Sequence, residues 1–252
     1  AGRLTIGDQK ITVTNAITVD TANLLAATTT GVVTATIDTS ETVTELATLS
    51  ADGGTNALTI AIRSADATSA TADQLNTIND ATSVAVDLTN VTALAASSLS
   101  DLGTLATAIT NNEFSNDTGI TTIAVSDTTI DATTLAARID SYDTIRVGGT
   151  TNMTLASGAT INVDADEVDH MLDDETAGRV TISDQLITVT NAITVDTANL
   201  LAATTTGKLT ATIATTETVA ELATLSADGG TNDLTIAIRA ADATAATAAQ
   251  LN

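Results

Sequence analysis

ITVTNAITVDTANLLAATTTG fills residues 11–31 and returns letter for letter at residues 187–207. Extended in both directions, the match runs from residues 1–76 onto residues 177–252, an offset of 176 with 64 of 76 positions identical. A long internal repeat is the sequence signature of an architecture built by adding like units. The quoted stretch opens with alternating β-branched and polar residues, turns at Asn15, and passes through Ile17-Thr18-Val19-Asp20 into a leucine-bearing segment. Period-2 alternation marks a half-buried strand, and the leucine segment reads as a short helix or loop that carries the chain back.

The same phrase recurs more loosely between the two copies. TIAVSDTTIDATTLA (122–136) and TLASGATINVDADEV (154–168) follow it closely, while VTATIDTSETVTELATL (33–49), LTIAIRSADATSATADQLNTI (58–78) and SVAVDLTNVTALAASSLSDLGTL (83–105) carry a strand and a leucine stretch with less between them. The markers Leu46, Leu75, Leu99, Leu135, Val168, Leu200 and Leu222 divide one length of the long repeat into six intervals of about 29 residues on average, a period typical of stacked repeats, and Leu251 marks one more. Within these units Val33, Ala35 and Ile37 share one strand face, as do Leu58, Ile60 and Ile62. Ser40, followed by Glu41, reads as a helix N-cap, and Asp131 and Asp164 open similar stretches. One strand per unit, each followed by a crossover, implies parallel pairing and a right-handed course. The fold class expected is therefore a β-solenoid with short helical crossovers, an α/β repeat of about nine coils. Six coils fall in residues 1–176 and the rest in residues 177–252, a partial second copy of 1–76, all in one continuous solenoid without separate globular domains. Helices need more room than stacked strands, so a straight rod requires crossovers of one or two turns.

Composition narrows the functions. Apolar residues make up 43% of the chain, almost all Ala, Val, Leu and Ile; Phe114 and Tyr142 are the two aromatics. Such a core suits thin repeated layers. Proline and cysteine are absent, which leaves turns to Gly, Asn, Asp and Ser and removes disulfides and thiolate chemistry. Eight basic residues face 31 acidic ones for a net charge of −23. Nucleic acid and anionic lipid are repelled by that charge, and high ionic strength suits it. No run of 18 apolar residues occurs, so no membrane span is expected, and no signal peptide is visible at the N-terminus.

The phrases TTGVVTATI, ETVTELATL, ADQLNTINDATSVAVDL and SDTTIDATTLAARID resemble the repeats of giant Thr/Ala/Asp-rich cell-surface proteins of bacteria, notably those of marine cyanobacteria. The resemblance covers nearly the whole chain. It implies an exported, extracellular or cell-surface setting rich in calcium, and it brings no catalytic residues. Asn111-Asn112-Glu113-Phe114 departs from the pattern as an insertion.

The densest acidic run is Asp164, Asp166, Glu167, Asp169, Asp173, Asp174 and Glu175. Hard cations take several carboxylate oxygens, so Asp164, Asp166, Glu167 and Asp169 are the candidate calcium ligands. The plainer reading is a solvated helix with acids near its start; neither EF-hand spacing nor GGxGxD nonapeptides occur. His170, the single histidine, has no triad motif around it. Gly53-Gly54 and Gly148-Gly149 lack the lysine of a phosphate cradle. Thr-x-Thr pairs such as Thr34/Thr36 do not continue as an ice-binding array, and Asn90, Asn116 and Asn152 sit in glycosylation triplets that so many Asn and Thr residues produce by chance. The expectation is a non-catalytic structural segment of an extracellular filament, sheath or surface layer that self-associates or stacks end to end. The alternative is an adhesin or a calcium- or glycan-binding surface module, with the insertion near Phe114 as its site.

Overall fold

The structure, a computed structural model, describes residues 7–50, 55–146, 150–226 and 231–242. The glycine pairs Gly53-Gly54 and Gly148-Gly149 and the marker Leu251 lie outside the described residues. Strand pairing is parallel throughout the described residues, in separate sheets of three, two, four and five strands accompanied by eight α-helices.

This mixed α/β arrangement corrects the expected fold: the strands do not form one continuous β-solenoid of about nine coils with short crossovers. The reason lies in the helices. Leu99–Thr110 runs for 12 residues and Ala132–Ile145 for 14. In the first, Leu99, Leu102, Leu105, Ala106 and Ile109 are buried at helical spacing behind the Ser98 N-cap. Full helices need about 8–10 Å between axes whereas paired strands sit about 4.8 Å apart, so one ladder cannot continue evenly past them. The step along the chain between paired strands is uneven accordingly: it is short from Ile11 to its partner Val33 and longer from Ile130 to Ile161.

The chain divides into two compact units, Ala1–Val125 with Asp140–Asn152, and Ser126–Ile139 with Met153–Asn252. In the first, Ile11–Thr12, Val33–Thr36 and Ala57–Thr59 form a parallel three-stranded sheet. Val86–Asp87 pairs with Phe114–Ser115, Asp87 bridges to Ala61, and Ala93–Ser97 pairs with Thr122–Val125. The inward faces are those the alternation predicts: Val33, Ala35 and Ile37 are buried, as are Leu58, Ile60 and Ile62. The expected cap moves, however. Thr42, not Ser40, caps the helix Val43–Leu46, in a reciprocal box with Glu45.

In the second unit, Thr129–Asp131, Thr160–Val163, Leu186–Ile193, Leu209–Ile213 and Asp233–Thr235 make a parallel five-stranded sheet. Its helices include Val168–Thr176 and Val195–Thr204. Among the described residues no helix of either unit is long and apolar enough to cross a membrane.

The two sequence copies make the same bonds at equivalent positions. Asn23 Nδ2 donates to the Thr48 carbonyl at 2.9 Å while its Oδ1 accepts from Ser50 N–H at 2.8 Å; Asn199 repeats both with Thr224 and Ser226. Asn56 Oδ1 accepts from Val33 N–H at 2.9 Å, and Asn232 from Leu209 N–H at 2.8 Å. Arg63 pairs with Asp66 at 2.9 Å and Arg239 with Asp242 at 2.5 Å. The Thr29 hydroxyl donates to the Gln9 carbonyl at 2.6 Å, as Thr205 does to Gln185. Gly31 permits that approach, since a Cβ there would lie 2.5 Å from the Asp8 and Gln9 carbonyl oxygens. These polar side chains reach far along the sequence and tie neighbouring segments together.

Candidate functional site

The acidic run is built around Asp164. It precedes the 3-10 turn Ala165–Glu167, which leads directly into the helix Val168–Thr176. One carboxylate oxygen of Asp164 accepts from Asp166 N–H at 3.2 Å; the other accepts from the Asn191 amide at 2.6 Å and the Thr190 hydroxyl at 3.2 Å. The Asp166 backbone bond, then the Asn191 bond, hold this carboxyl below the usual aspartate range against the opposing effect of desolvation. Glu167 accepts from the Thr133 hydroxyl at 2.6 Å. Asp166 and Asp169 are exposed, Asp169 in the first helical turn. The four candidate calcium ligands are thus spread over a turn and a helix start. Among the described residues no three His, Cys, Asp or Glu side chains gather as a metal-holding group.

Asp174 is buried and pairs with the Arg179 guanidinium, whose backbone N–H also donates to the Asp174 carbonyl at 2.8 Å. His170, half exposed one helical turn before, has Nε2 4.0 Å from Asp174. The sequence treats these acids as one charged run; the paired arginine comes from beyond the helix, and no local spacing announces it.

A second place draws on the insertion. The helices Ala72–Asp80 and Leu99–Thr110 pack beside the turn at 111–113, enclosing a cleft of about 310 Å³. Asn76, Asn79, Thr107, Asn111 and Glu113 are among the residues that line it. Asn112 and Asn116 take positive φ of 61° and 58°, a conformation asparagine tolerates, and so turn the chain back. Glu113 accepts from Asn79 Nδ2 at 2.6 Å and from Asn111 Nδ2 at 3.4 Å. Asn76 Nδ2 donates to the Asp101 carbonyl at 3.0 Å, and its Oδ1 is buried without a hydrogen-bond partner. Phe114 does not face this cleft: it is 4% exposed, in the core strand against Val86. The sequence marks the insertion as the candidate site; of its residues Asn111 and Glu113 line the cleft, while Phe114 is turned into the core.

Chemically the cleft offers amide, hydroxyl and carboxylate groups, a lining that hydrogen-bonds hydroxyl-rich or cationic groups. The chain matches no family model, no curated protein and no solved structure.

Proposed function

We propose that this chain is a non-catalytic structural repeat segment of an extracellular or cell-surface filament, sheath or surface layer, of the kind its Thr/Ala/Asp-rich phrases resemble. The observation that carries the reading is the repeat itself: the two copies are near-identical in sequence and keep the same inter-segment bonds through Asn23/Asn199, Asn56/Asn232 and Arg63/Arg239. Retaining bonds that join neighbouring segments serves a chain that is lengthened by adding units. The charge of −23 favours saline surroundings, where repulsion between such molecules is screened within about 10 Å. Electron microscopy of the purified chain at high concentration and seawater salt tests the proposal. Filaments or sheets are expected, and discrete unassociated particles contradict it.

One observation favours a second reading, a glycan- or calcium-binding surface module: the polar cleft, which includes the unpartnered Asn76 Oδ1, is otherwise lined by residues between Asn79 and Glu113, a part of the sequence that occurs once. A glycan array combined with a calcium titration decides it, with saturable binding lost in Glu113→Ala as the expected outcome and no binding as the contradicting one.

A further inference from the structure

The cleft between the helices Ala72–Asp80 and Leu99–Thr110 carries charge of one sign. Glu113 and Asp80 line it, and no Lys, Arg or His does. Its hydroxyl hydrogens are spent on their own helix: Thr107 donates to the Gly103 carbonyl at 2.9 Å and Thr104 to the Ser100 carbonyl at 3.4 Å, which leaves the lone pairs of both oxygens. Asn76 gives its amide to the Asp101 carbonyl and keeps Oδ1 buried with no hydrogen-bond partner, an acceptor that lacks a donor.

A glutamate in a turn ordinarily swings freely, but Glu113 is fixed at both ends. Its N–H donates to the Ala108 carbonyl at 3.0 Å, and its carbonyl accepts from Val86 N–H at 3.1 Å. One carboxylate oxygen accepts from Asn79 Nδ2 at 2.6 Å and the other from Asn111 Nδ2 at 3.4 Å. A carboxylate oxygen has two acceptor sites, so one remains on each. An acceptor already held in place spares a ligand the entropy of ordering it.

We infer that this cleft binds a primary ammonium group, that of an amino sugar or a short alkylamine, with Glu113 as its charge partner. An ammonium brings three N–H donors and no acceptor, the complement of a lining with two carboxylates and spent hydroxyls. A neutral hydroxyl brings lone pairs with its hydrogen. Calcium takes several converging carboxylate oxygens, whereas among the described residues no three acids gather. The volume of about 310 Å³ is at the small end of ligand sites. This inference rests on the reading of the cleft as a binding site and names the group it takes.

The test titrates glucosamine, butylammonium, N-acetylglucosamine, tetramethylammonium and calcium into the unaltered chain at fixed ionic strength, following the side-chain amide resonances of Asn79 and Asn111. Tetramethylammonium has the charge without N–H and so measures general attraction to a chain of net charge −23. Glucosamine and butylammonium are expected to saturate the shifts about ten-fold or more tighter than N-acetylglucosamine and tetramethylammonium, and Glu113→Gln to weaken both about ten-fold. The tighter of the two identifies the source as amino sugar or alkylamine. N-acetylglucosamine or calcium binding as tightly overturns the inference and leaves the surface-module reading standing. Tetramethylammonium matching butylammonium overturns it as general attraction. No saturable binding of any probe overturns both.

Discussion

At the scale of single residues, this protein is held by short polar side chains that reach the next segment. Asn56 is 3% exposed, and its Oδ1 satisfies the Val33 N–H inside the core. Asn56→Ala leaves that buried donor unpaired, and we expect a loss of about 1–3 kcal/mol in urea unfolding. Asn232→Ala removes the same bond to Leu209 from a half-buried position, and a smaller loss is expected. Carboxylates act similarly. In Asp66, burial raises the pKa, but hydrogen bonds from Arg63 and Val43 N–H outweigh it and leave the group below 3.8. Thr89 and Asn116 lower Asp87, and the Thr42 N–H lowers Glu45 from 4.5. Groups lowered on folding contribute stability that is present above their unfolded values and lost as pH falls through the folded ones. Asp117, raised by burial, works in the opposite sense, contributing below 3.8 and losing that contribution as pH rises. With several groups lowered and one raised, urea midpoints are expected to hold from neutrality down to about pH 4 and to drop below it. An unchanged midpoint at pH 3 contradicts these bonds.

At the scale of elements, the same sequence forms different lengths of strand. The residues ITVTNAI begin at Ile11 and again at Ile187. In the first copy two of them pair as the strand Ile11–Thr12 and a lone bridge joins Ile17 to Ile37; in the second, Leu186–Ile193 is an eight-residue strand between Thr160–Val163 and Leu209–Ile213. Intrinsic β-propensity is equal in the two, so neighbours on both sides supply the difference. Ile187→Ala is expected to cost about 2–5 kcal/mol, as for buried Ile or Leu, and Ile11→Ala clearly less. Equal losses in thermal or urea unfolding would show that the flanking strand contributes nothing. This is also where sequence reading succeeds and stops. Alternation in VVTATI and LTIAI reveals the buried faces, because period 2 leaves each side chain one side to occupy. It does not reveal that the leucines from Leu99 to Ile109 continue one 12-residue helix, since short stretches of such spacing fit a brief crossover equally well. That difference in length turns the expected continuous solenoid into separate sheets with full helices.

At the scale of the whole chain, the repeat was legible from residue identity alone, and so was the parallel pairing, because similar units placed side by side align like strands with like. The candidate sites were less legible. The acids of residues 164–175 are adjacent in sequence, but one helical turn sends neighbours to different sides. Asp164 and Glu167 end on Asn191 and Thr133, and Asp174 on Arg179. The cleft beside Glu113 joins it to Asn79 on a helix far back along the chain, a separation no local pattern encodes. What unites the three scales is that each copy of the repeat takes its order from the segments on either side. Amide exchange measured by nuclear magnetic resonance tests this most directly, in one molecule and on one sequence. The prediction is that the Ile187 and Val189 amides exchange about ten-fold or more slowly than those of Ile11 and Val13. Equal rates at the two sites, or slower exchange in the first copy, would contradict it.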